Sequence, residues 1–134
     1  MKKVVVFGVF DLLHPGHLYF LKQAKSHGNH LTVIVTRDAR VKSEKKRTPF
    51  FSEQERLEMV QALQVVDKAV LGDRVGEWTI NKLVKTDVIC IGYDQNAGLI
   101  KKSNFDPKLK VVRIKPWRVQ KYTSTNLRKH LRIW

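Results

Sequence analysis

The chain has 134 residues, with 26 Lys plus Arg against 12 Asp plus Glu, a formal net charge of +14 with the histidines neutral, and 43% hydrophobic residues. That length favours one domain with a core of its own, and so apolar a mixture excludes a disordered basic tail. The longest uninterrupted apolar runs, such as Val4 to Phe7 and Val88 to Ile91, fall far short of the roughly 20 residues that a membrane-spanning helix needs, which excludes one.

Val4 to Gly8 is a β-branched run ending on glycine, Leu31 to Thr36 is a second, and the stretch between them, around Lys22 to His27, reads as helix. Met1-Lys2-Lys3 before the valines has the charge of a secretory leader. Gly8, Asp11, His14 and His17 interrupt the apolar pattern and no small-residue cleavage site follows, so the start is read as mature structure. Lys42 to Phe51 reads as a mobile, basic loop. Ser52 with Glu55 three residues on forms a capping box, which opens a helix carrying Leu57, Met59, Val60 and Leu63. Val66 to Leu71 predicts a third strand stopped at Gly72-Asp73, and Glu77 to Lys85 a helix with Trp78 on its apolar stripe. Thr86 to Gly92 predicts a fourth strand, apolar enough to be buried on both faces. Residues 95 to 104 read as helix or loop, Leu109 to Ile114 as a fifth strand, and Thr123 to Leu131 as a closing helix. Cys90 is the sole cysteine and sits in the fourth strand, so no intrachain disulfide forms and an inert, buried thiol in a cytoplasmic protein is expected.

Strands alternating with helices imply parallel neighbours joined by crossovers. The expected fold is α/β: a Rossmann-like three-layer α/β/α domain over 1–134 with a five-stranded parallel sheet. In such sheets ligands bind outside the carboxyl ends of the strands.

The charge is uneven. After Asp106 no acidic residue occurs, while Lys108, Lys110, Arg113, Lys115, Arg118, Lys121, Arg128, Lys129 and Arg132 follow, and a second cluster holds Arg40, Lys42, Lys45, Lys46 and Arg47. Such clusters attract nucleic acids, acidic membranes or nucleotide phosphates, or form a solvated basic face.

The most informative segment is Gly8-Val9-Phe10-Asp11-Leu12-Leu13-His14-Pro15-Gly16-His17, which follows the first strand and precedes the first helix. Gly8 lets backbone approach a ligand, Pro15 suits the first helical turn, and Gly16 leaves the helix start open to an anion. His14 and His17 could stabilise charge growing on a phosphoryl group, or simply cap the turn. A zinc pair lacks further ligands at suitable spacing. Asp11 is either a turn former or a group that orients a cation or metal. Neither the P-loop nor the dinucleotide fingerprint is present.

Gly8, Phe10, Asp11, His14, Gly16 and His17 match G-x-F-D-x-x-H-x-G-H, so the chain resembles the small nucleotidyltransferases of the cytidylyltransferase-like family. Arg118-Val119-Gln120-Lys121-Tyr122-Thr123-Ser124-Thr125 is similar to that family's second signature, an arginine followed by a hydroxyl-rich helix start, with Lys121 for the usual glycine and Val119 for the usual threonine. Hydroxyls at a helix N-terminus suit the β- and γ-phosphates. Ser52 to Arg56 resembles the helix start after the family's basic loop, which makes Lys46 the nearest candidate for its phosphate-contacting lysine. Gly92-Tyr93-Asp94-Gln95 resembles the G-x-D-Q of archaeal FAD synthases more than the G-D-D-W type of glycerol-3-phosphate cytidylyltransferases, favouring ATP over CTP. Asp94 is placed either on a ribose hydroxyl or at Mg²⁺.

The resemblance implies in-line attack by a phosphorylated acceptor on the α-phosphorus of a nucleoside triphosphate, with Mg²⁺ carried by the triphosphate and with His14, His17, Lys46 and Arg118 as the catalytic set. Gly8 to Asp11, His14 to His17, Gly92 to Gln95, Arg118 and Tyr122 to Thr125 would bind the nucleotide. It also implies a homodimer. FMN with ATP is the favoured pair and glycerol 3-phosphate or another phospho-alcohol with CTP the alternative; no specific nucleic acid is expected. From another class, a non-catalytic nucleic-acid-binding module would use the positive charge on a phosphate backbone. Trp117 and Tyr122 either stack on a base or flavin ring or lie half-buried as ordinary aromatics.

Overall fold

The computed structural model describes residues 1–77, 84–95, 106, 109–119 and 121–131. In chain order these form β1 (Lys3–Gly8), α1 (Pro15–Lys25), β2 (His30–Val35), α2 (Asp38–Lys45), α3 (Glu53–Gln61), β3 (Lys68–Leu71), β4 (Val88–Ile91), β5 (Lys110–Arg113) and α4 (Ser124–Leu131). The five strands make one parallel sheet in the order β3-β2-β1-β4-β5. The expected α/β class and strand count are observed. Most of the helix expected over Glu77 to Lys85, including Trp78, and nearly all of 95 to 104 lie outside the described residues, as do Gln120 and Trp134.

β1 from Val4 to Phe7 and β4 from Val88 to Ile91 are continuously apolar because both faces of the sheet are covered there. Val4, Val5 and Val6 of β1 and all four residues of β4 are buried. Successive side chains point to opposite faces. Val4, Val6, Leu31, Val33, Val35 and Cys90 therefore meet Leu21 and Ala24 of α1 and Val60 of α3 on one side. Val5 and Ile34 meet Phe7, Val70 and Val84, and Ile89 and Ile91 meet Phe7 and Leu109, on the other. The thiol of Cys90 is pushed up to about 11 by burial, which fits the inert thiol expected.

One prediction fails. Residues 42–45 of the expected basic loop belong to α2, which buries only Val41. Its tertiary ties explain why it is helical. Asp38 N–H donates to Glu53 Oε1 (3.0 Å) and Glu53 N–H donates to Asp38 Oδ2 (3.1 Å), so the first residues of α2 and α3 cap one another with carboxylates at their positive ends. Ser52 and Glu55 make the expected capping box on α3.

The chain builds outward from β1 to β3, returns, and continues from β4 to β5. The strand order thus reverses between β1 and β4, and a crevice opens beyond their carboxyl ends. The Gly8–His14 and Gly92–Gln95 segments emerge there.

Candidate active site

The segment after β1 is held in an unusual shape. Phe10 (φ 54°) and Leu12 (φ 50°) both sit in the left-handed region, each costing about 1–3 kcal/mol that surrounding contacts must offset. Phe10 is buried, and its ring lies so close to Gly8 that a Cβ there would stand 2.6 Å from it. The buried Asp11 carboxylate accepts Phe50 N–H (2.7 Å) and Phe51 N–H (3.0 Å). These partners lie some 40 residues away, so the carboxylate braces the loop after β1 against the segment before α3 and does not act as a local turn former. Arg56, fully buried, donates to the carbonyls of Val9 (2.8 Å), Thr36 (2.7 Å) and Phe51 (3.1 Å) and to Asp38 Oδ1 (2.6 Å). One guanidinium thereby fastens the loop after β1, the end of β2 and the starts of α2 and α3.

The loop delivers two histidines to the start of α1. His14 is the N-cap: its Nδ1 accepts Gly16 N–H (3.0 Å), while its own N–H donates to Nδ1 of His17 (3.1 Å). Both Nδ1 atoms are acceptors, so each imidazole, when neutral, carries its proton on Nε2. The ring centroids are 3.9 Å apart. Burial lowers the pKa of His14, and burial together with the neighbouring His14 pushes that of His17 down to about 3. At neutral pH the pair is two uncharged N–H donors.

The closing segment meets this loop from the far end of the chain. Ser124 Oγ donates to the Asp11 carbonyl (3.1 Å) across 113 residues, and the Tyr122 ring lies 6.4 Å from that of His14 at 19°. A Cβ on Gly16 would stand 2.9 Å from the Tyr122 carbonyl, so glycine is required for the two segments to approach. Thr123 caps α4 by accepting Asn126 N–H (3.0 Å). Trp117 is half-buried and lies nearly parallel to Tyr19 (5.2 Å, 11°) and Tyr122 (5.6 Å, 13°).

Between these segments lies a cavity of about 270 Å³. Its wall includes Gly8, Val9, Phe10, Asp11, His14, Gly16 and His17; Gly92, Tyr93, Asp94 and Gln95; and Tyr122, Thr123, Ser124 and Thr125. Three expected residues stand off it. Pro15 occupies the first turn of α1 and is exposed. Lys46 is the exposed, left-handed C-cap of α2 (φ 57°), and the turn it makes leaves Lys45 and Arg47 on the wall instead. Arg118, also left-handed (φ 49°) and exposed, lays its guanidinium 5.0 Å from the Trp117 ring centre.

Arg128, like Lys45 and Arg47, is a cavity cation not expected from the sequence. It is buried, lines the cavity, and lies one turn after Ser124 on α4; that four-residue spacing was the available signal. Lys45, Arg47 and Arg128 crowd together. The pKa of Lys45 is lowered by burial and then by Arg47 and Arg128, partly opposed by Asp94; that of Arg128 is lowered by burial and then by Arg47, partly opposed by Asp11. The buried Nη1 of Arg47 meets no hydrogen-bond acceptor among the described residues. Like charges gathered beside a cavity gain from an anion between them. With the histidine pair and a helix N-terminus on the same wall, this is a chemistry suited to anionic groups such as phosphates.

Residues 5–130 match the family model described as cytidylyltransferase-like. The FAD synthase of Methanosarcina barkeri is 50% identical over 95 residues, covering 71% of this chain and 67% of that protein. That of Methanohalophilus mahii is 47% identical over 95 residues, covering 71% and 66%. That of Methanococcoides burtonii is 43% identical over 118 residues, covering 85% and 81%. The chain thus spans about two thirds of the length of the first two. Among solved structures, the lipopolysaccharide core biosynthesis protein from Thermoplasma volcanium GSS1 superposes with a TM-score of 0.78 at 38% identity, over 87% of this chain and 98% of the other.

Proposed function

The chain belongs to the cytidylyltransferase-like family, and from that premise we propose that it is a nucleotidyltransferase that moves the adenylyl group of ATP onto FMN, releasing pyrophosphate. The observation that carries this reading is the meeting of the histidine pair with the start of α4 and the cluster of Lys45, Arg47 and Arg128 around one cavity at the switch point. The choice of FMN and ATP is supported by the FAD synthase relatives and by Gly92-Tyr93-Asp94-Gln95.

An oxygen of the FMN phosphate attacks the α-phosphorus in line. The new P–O bond forms as the bond from the α-phosphorus to the bridging oxygen breaks, and that electron pair leaves with pyrophosphate. No protein nucleophile is needed. His14 and His17 donate from Nε2 to α-phosphate oxygens, whose charge grows in the transition state. Lys45, Arg47 and Arg128, with the N-terminus of α4, hold the β- and γ-phosphates and stabilise the leaving group.

The donor set fits Mg²⁺ carried by the triphosphate rather than one caged by protein. Among the described residues no cluster of three His, Cys, Asp or Glu could hold a metal, and the Asp11 oxygens are engaged by backbone, which leaves Asp94 as the candidate ligand. When bound, the metal supplies charge neutralisation to the phosphate oxygens.

The test is pyrophosphate release with ATP or CTP paired with FMN or glycerol 3-phosphate. ATP with FMN is expected to be the productive pair. Release only with CTP and glycerol 3-phosphate would shift the activity to cytidylyl transfer, and release with no pair would contradict the enzyme reading.

A further inference from the structure

The registered β1–β4 ladder ends at Val6 opposite Cys90. The next groups along the two strands, the Phe7 carbonyl and the Gly92 amide, are joined through a side chain. Gln95 Nε2 donates to the Phe7 carbonyl (2.9 Å), and Gln95 Oε1 accepts Gly92 N–H (2.7 Å). The amide of Gln95 thus stands between the strands as an inserted rung, where the strand order reverses. Arg113 fastens the same turn by donating from Nη1 to the carbonyls of Gly92 (2.9 Å), Tyr93 (3.2 Å) and Gln95 (2.9 Å).

We infer that Gln95 is a positioning residue: its side-chain amide wedges β1 and β4 apart and sets the distance between the Gly8–Asp11 loop and the Gly92–Asp94 turn across the nucleotide cavity. This rests on the proposed nucleotidyl transfer. The amide is engaged at one end by backbone of β1 and at the other by backbone just after β4, so the role inferred for it is loop spacing, and the ATP-to-CTP preference separates that role from base reading. A wedge of the wrong length or polarity misplaces one wall of the cavity, and errors near 1 Å in such sites cost about 100-fold.

The experiment compares wild type with Gln95→Leu, which removes both bonds, and Gln95→Glu, which keeps the acceptor for Gly92 N–H but sets a carboxylate against the Phe7 carbonyl. Three readouts are hydrogen exchange at the Gly92 amide, the Kd for a non-hydrolysable ATP analogue, and kcat and KM with ATP and FMN, with melting temperature as a control on folding. Gln95→Leu is expected to speed Gly92 exchange at least about tenfold. Gln95→Glu is expected to leave that amide protected. Both are expected to weaken analogue binding by about tenfold or more and to lower kcat/KM further, with the ATP-to-CTP preference unchanged. Should Gln95→Leu not fold, Gln95→Glu and Gln95→Asn, the latter too short to span both groups, carry the test. Unchanged binding and turnover in folded variants, or a switched nucleotide preference with Gly92 exchange unaltered, would overturn the inference. If wild type transfers nothing to FMN, the proposed function fails, while exchange and analogue binding still judge the wedge.

Discussion

His14 and His17 spend their Nδ1 atoms on backbone N–H groups, which aligns the rings and fixes where the remaining proton sits. Nitrogen NMR is expected to find both imidazoles as the Nε2–H tautomer at pH 7; an Nδ1–H signal for either would contradict the capping geometry. His17→Ala removes one aimed donor, a change that typically costs about 2.7–4 kcal/mol of transition-state stabilisation, so kcat should fall about 100- to 1,000-fold with the melting temperature little changed. An unchanged kcat at saturating ATP would remove His17 from the chemistry. Because its pKa is pushed down to about 3, His17 should not titrate between pH 5 and 8. The stability consequence follows from the same shift. Below pH 6.5 the unfolded chain binds protons at these histidines that the folded chain refuses, so stability declines as pH falls from 6.5 towards 3. Thermal melts from pH 7 to 5, above the range where carboxylates protonate, should show that decline, and His17→Gln should flatten it.

Among the elements, α2 shows how far local pattern can mislead. Its lysines and single buried Val41 carry no helical stripe, and its helicity depends on Asp38, Glu53 and Arg56, which tertiary structure brings together. Arg56→Leu should destabilise the fold by about 3–5 kcal/mol, since it strands three carbonyls and the Asp38 carboxylate; a urea midpoint shift worth under about 1 kcal/mol would mean these groups find other partners. The strands were legible because continuous β-branched runs bounded by glycine have few other uses, and the capping box at Ser52 marked α3 within a residue. The histidine loop was legible from its spacing at a strand-to-helix junction. The cavity cations were not. Which of Lys45, Lys46 and Arg47 faces inward depends on the left-handed turn at Lys46, and Arg118 is carried onto Trp117 by a similar turn. Asp11 carried a motif position but no sign that its partners would be the amides of Phe50 and Phe51, some 40 residues away.

For the molecule as a whole, the charge of +14 acts on anionic substrates before they dock. Lys45 and Lys115 lie on the cavity wall, and the exposed Lys46, Arg118 and Lys121 adjoin it in sequence, so capture of ATP should be electrostatically steered. The account predicts that kcat/KM for ATP drops by about tenfold between low ionic strength and about 0.3 M salt while kcat changes little; a salt-independent kcat/KM would confine the charge to other roles. Two stretches of chain more than 100 residues apart serve one reaction only if a single triphosphate touches both. The most direct measurement is a crystal structure with α,β-methylene ATP. The account predicts the α-phosphate within hydrogen-bond reach of Nε2 on His14 and His17 and the β- and γ-phosphates at the start of α4 beside Arg47 and Arg128. Phosphates bound away from either group would contradict it.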